Sequence, residues 1–570
     1  MRNKIISFFI IFIFLFLVLG LVNLQIIQGR QFKDLSNKNS IRLLTQEGAR
    51  GRILDRYGHV IIGNRLSYDV LILPQEEKQI DAALSKLSLI LSVSYNELKD
   101  TFKKGYIAPS IPVNVAKNID AKKAIVLEEL KSDLPVLVIQ PHPVRDYPYA
   151  RLACHTIGYL NEIDRWRLTK LADYGYKTKD IVGFGGIEEK YDYYLRQEEG
   201  ALSMEVDHRG SFIRVLGFKP PRNGKDVQLT LDLKIQKIAE DNLGDRKGSI
   251  IIMEPYSGEI LALVSSPGFS PPAFIKKSGA YIANLFNNSE APLLNRAISG
   301  VYPAGSVFKV VVASAALETG KINLDTTFLC TGSAYVGRQE FSCWDKHGLQ
   351  SLLPALAHSC NVFFYKTGLL VGAQNLHDYA LKFGLSRTTL IDLPYESSGF
   401  VPSPLWKRLS RFKGWFDGDT VNFSIGQGEL LVTPIQITRM MAVFANQGLL
   451  VTPYLAKAVD NQDISVYQKK FNKVPLKKST IDSVNQGLRR VISESKGTAN
   501  ILSSLAVEVA GKTGTVQVPR GQPHAWFVGF FPFKKPRFVI CVFLEHGGSG
   551  QASCRIARQI IEMMSEEGLI

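Results

Sequence analysis

The stretch Val507-Glu508-Val509-Ala510-Gly511-Lys512-Thr513-Gly514-Thr515 opens a series of β-rich segments near the end of the 570-residue chain. Residues 507–510, 525–531 and 538–544 read as strands, and a helix is expected from Ala552. Much earlier, 250–254 and 260–264 are two further β-rich runs joined by Pro255-Tyr256-Ser257-Gly258, which reads as a hairpin. Helical segments fill much of 307–445. Strands at both ends of a helical middle imply one α+β domain whose sheet is built from distant segments.

Moving outward, Lys219-Pro220-Pro221-Arg222-Asn223-Gly224-Lys225 is a turn-rich basic linker and sets a boundary, leaving 225–570 as the C-terminal domain. Before it, 28–218 reads as a polar, basic stalk followed by a mixed region. That region has a short strand over 68–73 and amphipathic helices over 80–91 and 121–130. From Ile5 to Val22 only Ser7 and Gly20 are not strongly apolar, and Leu24, Ile26 and Ile27 extend the run. That length suits a membrane-spanning helix. It is too long for the apolar part of a cleaved signal, and no A-x-A-like site follows. Residues 1–4 are therefore expected to be a cytoplasmic tip and 5–27 an uncleaved signal anchor. Arg2 and Lys4 precede the run while Arg30, Lys33 and Lys38 follow it, so flanking charge orients it poorly.

Composition narrows the partners. With 68 Lys plus Arg against 52 Asp plus Glu, the net charge is +16, which calls for an anionic partner. Once most of the chain is placed beyond a membrane anchor, nucleic acid drops out, and anionic lipid and acidic polymers remain. A hydrophobic share of 45% excludes a mostly disordered chain, and six cysteines exclude a disulfide-dense scaffold.

Three short motifs occur in order within 225–570. In Ser306-Val307-Phe308-Lys309, a helix starting at the serine would put residues three apart on one face, within reach of each other. To act as a base the lysine must lose its proton, which needs desolvation or a neighbouring positive charge. The second motif is Ser359-Cys360-Asn361 and the third Lys512-Thr513-Gly514-Thr515. Each alone is weak. S-x-x-K recurs at Ser410 to Lys413 and Ser493 to Lys496, and K-T-G recurs at Lys366-Thr367-Gly368. The 366 copy follows Phe363-Phe364-Tyr365 in an expected helix, where it cannot line a cleft as an edge strand would. Context selects Lys512, which lies between β-rich runs with Gly511 and Gly514 permitting close approach of a ligand. Ser306 follows Tyr302-Pro303-Ala304-Gly305, a turn able to launch a helix.

The three motifs together are the signature shared by penicillin-binding proteins and class A β-lactamases, and the chain resembles a class B penicillin-binding protein from anchor to C-terminus. Arg50-Gly51-Arg52-Ile53-Leu54-Asp55-Arg56-Tyr57-Gly58, Arg145-Asp146-Tyr147-Pro148 with His155 and Gly158-Tyr159, and Gly186-Ile187-Glu188-Glu189-Lys190-Tyr191 resemble the family's pedestal segments. Ser424-Ile425-Gly426-Gln427-Gly428 with Thr433-Pro434 resembles another of its stretches. Ala150 and Gln197 depart from it, standing where the family often has glycine. Trp344, His347-Gly348 and Gly418-Asp419-Thr420 make the chain most similar to the elongation-specific branch, penicillin-binding protein 2.

The resemblance implies an elongated pedestal and a penicilloyl-serine transferase (β-lactamase-like) domain, an antiparallel sheet flanked by helices. It implies a peptidoglycan D,D-transpeptidase in the inner membrane, with its catalytic domain periplasmic. Ser306 would attack the D-Ala-D-Ala end of a stem peptide, with Lys309 as base and Ser359 as proton relay. Asn361 would orient Lys309, Lys512 would help keep it neutral, and Thr513, Gly514 and Thr515 would bind substrate. β-Lactams would acylate the same serine. No E-D-x-x-F-like acidic signature precedes residue 220, so glycan polymerisation is expected from a partner. The resemblance points to a SEDS-family glycosyltransferase and other elongation-complex proteins. A division-specific transpeptidase, a β-lactam sensor and a β-lactamase are the rival readings.

Cys330, Cys343, His347 and Cys360 form a separate constellation, a complete Cys3His set for tetrahedral zinc. Their spacing is looser than a zinc finger's. A structural zinc, a Cys330–Cys343 disulfide and buried free thiols all remain open at this point.

Overall fold

The computed structural model describes residues 2–33, 41–74, 77–106, 111–206, 212–276 and 278–570. The stalk residues 34–40, Lys38 among them, lie outside that set. Helix α1 (Arg2–Val22) runs into a single π-turn over Asn23–Ile27, and 4–27 is long and apolar enough to cross a membrane. From Ile5 onward its side chains are apolar on every side apart from Ser7 and none is buried, as in an anchor rather than a core helix.

The chain forms two compact units, each assembled from separate segments. The first comprises Met1–Gly51, Asn64–Asp146 and Arg196–Lys225, and the second Arg52–Gly63, Tyr147–Leu195 and Asp226–Ile570. The sequence suggests one boundary at 219–225, whereas the structure carries two earlier segments into the second unit. Backbone pairing explains the first of these. Ile53 and Leu54 lie parallel to Val227 and Gln228, and Arg52 donates from its backbone and guanidinium to Asp226. The second is held by Thr156, whose hydroxyl donates to the Leu263 carbonyl at 2.9 Å, and by Ile157 and Ile187, which join the main core.

In the first unit, Ile41–Gln46, Gly200–Val206 and Phe212–Lys219 make a three-stranded antiparallel sheet. A small core of Val70, Ile72, Leu84, Leu87, Val115 and Leu127 joins the helices Glu77–Leu91 and Ala121–Glu129 to neighbouring strands.

In the second unit, helix α2 (Leu233–Leu243) is capped by Asp232, whose carboxylate accepts from the N–H groups of Lys234 and Ile235. Its central sheet has strands β1 (Gly248–Met253), β2 (Ile260–Ser266), β3 (Ala510–Val516), β4 (His524–Phe531) and β5 (Phe538–Leu544). They lie in the order β2-β1-β5-β4-β3, antiparallel throughout. Side chains alternate between two cores. Ile250, Ile252, Ile540 and Val542 pack towards α2 and the C-terminal helix, while Ile251, Met253, Val539 and Cys541 face the helical middle. Both faces are covered, so β5 reads as one unbroken apolar run rather than as an alternation.

The middle supplies α3 (Lys309–Glu318), α4 (Asn361–Val371), α5 (Pro404–Arg411), α6 (Asp417–Ser424), α7 (Pro434–Ala445) and α8 (Lys478–Ser493), and α9 (Gly550–Glu566) closes the chain. Every residue of α7 is buried, and its polar Gln436, Thr438 and Arg439 each donate to a backbone carbonyl. Thr433 and Gln436 exchange hydrogen bonds at its start and Pro434 fills the first turn, so the Thr-Pro pair has a plain capping role. Ala150 adopts a φ of 53°, the left-handed region for which glycine is better suited.

Candidate active site

Ser306 lies on a short 3-10 turn, Gly305–Phe308, and the α-helix begins only at Lys309. The sequence suggests a helix starting at the serine. A 3-10 turn eclipses positions i and i+3, so the hydroxyl and the amine still share one side. Ser306 is half-buried and Lys309 fully buried.

The Lys309 ammonium donates to the Ser359 carbonyl at 2.8 Å, the Ser359 hydroxyl at 3.2 Å and Asn361 Oδ1 at 2.7 Å. All three acceptors are uncharged. Burial lowers the lysine to about 8, opposed by negative charge on the Cys343 and Cys360 sulfurs. Ser359 holds a φ of 53°, a left-handed strain that lets its carbonyl and its hydroxyl both reach the amine.

Lys512, Thr513, Gly514 and Thr515 lie within β3, which starts at Ala510 rather than at Val507 as the sequence suggests. Lys512 is fully buried and sits well below the usual lysine range, first through burial and then through the charge of Lys309. The strand lies tightly against the nucleophile turn. A Cβ at Gly514 would come within 3.2 Å of Trp526, 3.3 Å of Val307 and 3.4 Å of the Ala304 carbonyl. The Trp526 indole donates to the Pro303 carbonyl at 3.2 Å, fixing the turn from below. On the other side, Gly305 N–H donates to the Gly426 carbonyl at 2.8 Å. Of the second K-T-G, on α4, Thr367 and Gly368 are buried, with Gly368 against Ser424.

Three site-building residues carry no motif. Thr513 donates to Thr498 at 2.7 Å, Gln551 donates to the Thr498 carbonyl at 2.7 Å, and Gly550 N–H donates to the Thr515 hydroxyl at 3.0 Å. Each is far from its partner in sequence, and nothing local to 498 or 550 distinguishes it.

The ligand atoms of Cys330, Cys343, His347 and Cys360 all lie within 4.8 Å of one another. His347 Nδ1 is 3.6 Å from Cys330 Sγ and 3.5 Å from Cys343 Sγ. The six cysteines are free, Cys541 and Cys554 included, so the Cys330–Cys343 disulfide is not formed. Cys343 is pushed down to about 4, chiefly by a hydrogen bond from the Cys360 thiol, which is itself pushed up. Cys343 Sγ also accepts from Asn361 N–H at 3.2 Å, so the cluster touches the site directly. Three sulfurs and an imidazole nitrogen at this separation fit a tetrahedral ion.

A cavity of about 660 Å³ in this unit is lined by Arg151, Cys154, His155 and Glu240, and no residue of the three catalytic motifs faces it. Chemistry, not volume, locates the site.

A serine on a tight turn, backed by two buried lysines on the face of a covered antiparallel sheet, defines an acyl-transferring serine domain. Residues 248–562 match the penicillin binding protein transpeptidase domain family, and 45–229 match the penicillin-binding protein dimerisation domain family. The chain is 32% identical over 581 residues to the peptidoglycan D,D-transpeptidase MrdA of Escherichia coli, spanning 96% of this chain and 91% of that protein. It is similar, with a TM-score of 0.83 and 28% identity, to the penicillin-binding protein PBP2 of Helicobacter pylori in its complex with MreC, over 93% of this chain and 99% of that one. It is also similar to a chain of a peptidoglycan synthase complex, with a TM-score of 0.77 and 28% identity, over 100% of this chain and 99% of that one. The chain belongs to the class B penicillin-binding proteins, in which a dimerisation domain precedes the transpeptidase domain.

The packing of the turn predicts a large effect at one glycine. Gly426 has a φ of 74°, and a Cβ there would sit 2.1 Å from the Gly305 carbonyl oxygen. Gly426→Ala is expected to lower unfolding stability by about 2–4 kcal/mol through strain and displacement of the turn. Denaturant melts measure it, and an unchanged midpoint would show that the turn does not depend on this contact.

Proposed function

We propose that the chain is a serine-type peptidoglycan D,D-transpeptidase of cell elongation, held in the inner membrane by α1 with its N-terminus cytoplasmic and its catalytic unit periplasmic. The observation that carries this reading is the full burial of Lys309 against three uncharged acceptors, which suits an amine that must be neutral near physiological pH. Full-length similarity to proteins named peptidoglycan D,D-transpeptidase supports the substrate.

Ser306 Oγ attacks the penultimate D-alanine carbonyl of a stem pentapeptide while its proton passes to Lys309. The Ser306 and Thr515 N–H groups stabilise the oxyanion, whose charge exists only after attack. The intermediate collapses with cleavage of the C–N bond, and the departing D-alanine amine takes the proton through the Ser359 hydroxyl. Asn361 holds Lys309, and Lys512 keeps it from recharging. Thr513 and Thr515, on a strand that Gly514 lets lie flat, hold the terminal carboxylate. An amine from a second stem then attacks the Ser306 ester, forming the cross-link and restoring the serine. Attack by water in its place gives carboxypeptidase release. β-Lactams acylate Ser306 by the same first step. A SEDS-family polymerase and other elongation-complex proteins are the partners this reading needs, and the relatives' complex with MreC and their synthase assembly support it.

We further propose that Cys330, Cys343, His347 and Cys360 hold a structural zinc ion. With four protein ligands such an ion has no open position and supplies a cross-link rather than chemistry.

Four outcomes follow. Ser306→Ala should remain folded and lose all labelling by fluorescent penicillin, and undiminished labelling would refute the nucleophile. The neutral amine is the base, so the acylation rate should climb about tenfold per pH unit up to about 8 and flatten above it. Asn361→Ala should slow acylation about ten- to hundredfold through the lost hydrogen bond to a charged group, and a rate flat from pH 6 to 8 would remove Lys309 as base. Elemental analysis should find one zinc per chain, with chelation lowering the melting temperature, and a zinc-free protein of unchanged melting and acylation would exclude the ion.

A further inference from the structure

Helix α5 is amphipathic the wrong way round for a surface helix. Leu405, Leu409 and Phe412, at positions i, i+4 and i+7, share a face that is 54%, 62% and 89% exposed, and Phe416 follows at 65%. No residue of α5 is buried. Phe412 closes the helix with a φ of 53°, where a bulky side chain is disfavoured and glycine or asparagine is usual. An exposed, strained phenylalanine contributes nothing to the fold that glycine would not supply better.

The same segment is cationic. Arg408 and Lys413 are exposed beside the apolar face, while Lys407 pairs with Asp419 and lies 5.2 Å over the Phe416 ring.

Position gives the patch its meaning, because three links tie it to the rim of the serine cleft. Arg411 pairs at 3.4 Å with Glu429, in the loop whose Gly426 bonds Gly305. The Trp406 ring packs edge-on against Phe400 at 4.7 Å, and Phe400 N–H donates to the Leu431 carbonyl at 2.7 Å. The next residue, Val432, exchanges backbone hydrogen bonds with Tyr302, four residues before Ser306.

We propose that α5 and the turn after it are a docking face for the glycan strand of peptidoglycan. Leu409, Phe412 and Phe416 would meet the apolar faces of sugar rings, and Arg408 and Lys413 would pair with stem-peptide carboxylates. The proposal rests on the transpeptidase reading above. Charge and shape select this occupant. The polymer is anionic and carries repeating flat apolar faces, and the cleft beside α5 must admit such a strand. An exposed patch of mixed aromatic and cationic side chains marks a binding surface. A lipid bilayer lying on this face would cover the rim through which that strand has to enter.

The test uses the full chain in detergent, acylated by penicillin so that the serine cleft is already filled. Co-sedimentation with purified sacculi is compared for wild type, Phe412→Gly and the double variant Arg408→Glu with Lys413→Glu. Phe412→Gly relieves the left-handed strain, so it should melt no lower than wild type and yet bind sacculi about tenfold more weakly. The charge reversal should weaken binding similarly and remove its salt dependence. Penicillin should label all three proteins at the same rate. Unchanged sacculus binding in both variants would overturn the docking face, as would wild-type binding to phosphatidylglycerol vesicles that the variants lose. A wild-type chain that takes up no penicillin would instead overturn the transpeptidase reading.

Discussion

The burial of Lys309 is the constraint on which the rest of this unit depends. An ammonium taken fully out of water is strongly destabilised unless its protons find acceptors or it gives one up. Three uncharged acceptors, two of them on Ser359, stabilise the amine without a counter-charge. A carboxylate in the same place would raise the amine's affinity for its proton and make it useless as a base. Lys512, equally buried, works in the opposite direction to a counter-ion. Two lysines side by side in a dry interior therefore favour loss of a proton over gain of a partner.

Meeting that constraint dictates much of the surrounding backbone. Ser359 is forced into the left-handed region, β3 lies tightly against the nucleophile turn, and the Gly426 loop approaches it more closely than any Cβ allows. These strained elements persist because fully buried ones hold them. Trp526 on β4 anchors the turn, and α7 fills the space beneath the sheet along its whole length. Strain at the site is matched by over-determined packing around it.

Which parts of this were legible in the sequence follows from the same physics. The serine, both lysines, Asn361 and the K-T-G strand stood out because their chemistry needs particular residue types at short, fixed spacings. The duplicate K-T-G at 366 was separable because an apolar helix pattern surrounds it. The α+β class followed from strands at both ends of the domain, since β1, β2, β4 and β5 of the covered sheet each contain a short apolar run. The interleaving of the two units was hidden, because a two-residue strand such as Ile53–Leu54 has no periodicity and is defined only by its pairing with Val60 and Ile62 on one side and Val227 and Gln228 on the other. Thr498 and Gly550 were hidden for a related reason, as each matters only through one hydrogen bond to a residue distant in the chain.

The cysteine cluster shows how a structural element can act on chemistry without touching substrate. Cys360 caps α4, its sulfur accepting from Phe363 N–H at 3.5 Å, and Cys343 accepts from Asn361 N–H at the same helix end. A helix N-terminus favours negative charge, and of the two sulfurs gathered there Cys343, which also accepts from Cys360, is drawn towards the thiolate form that binds a metal ion. Asn361 is the first residue of that helix, and its side chain holds Lys309. Any ion clamping these sulfurs would fix the end of α4, and with it the direction of the Asn361 amide. The orientation of the base would then depend on a cross-link formed by residues that never meet the peptide.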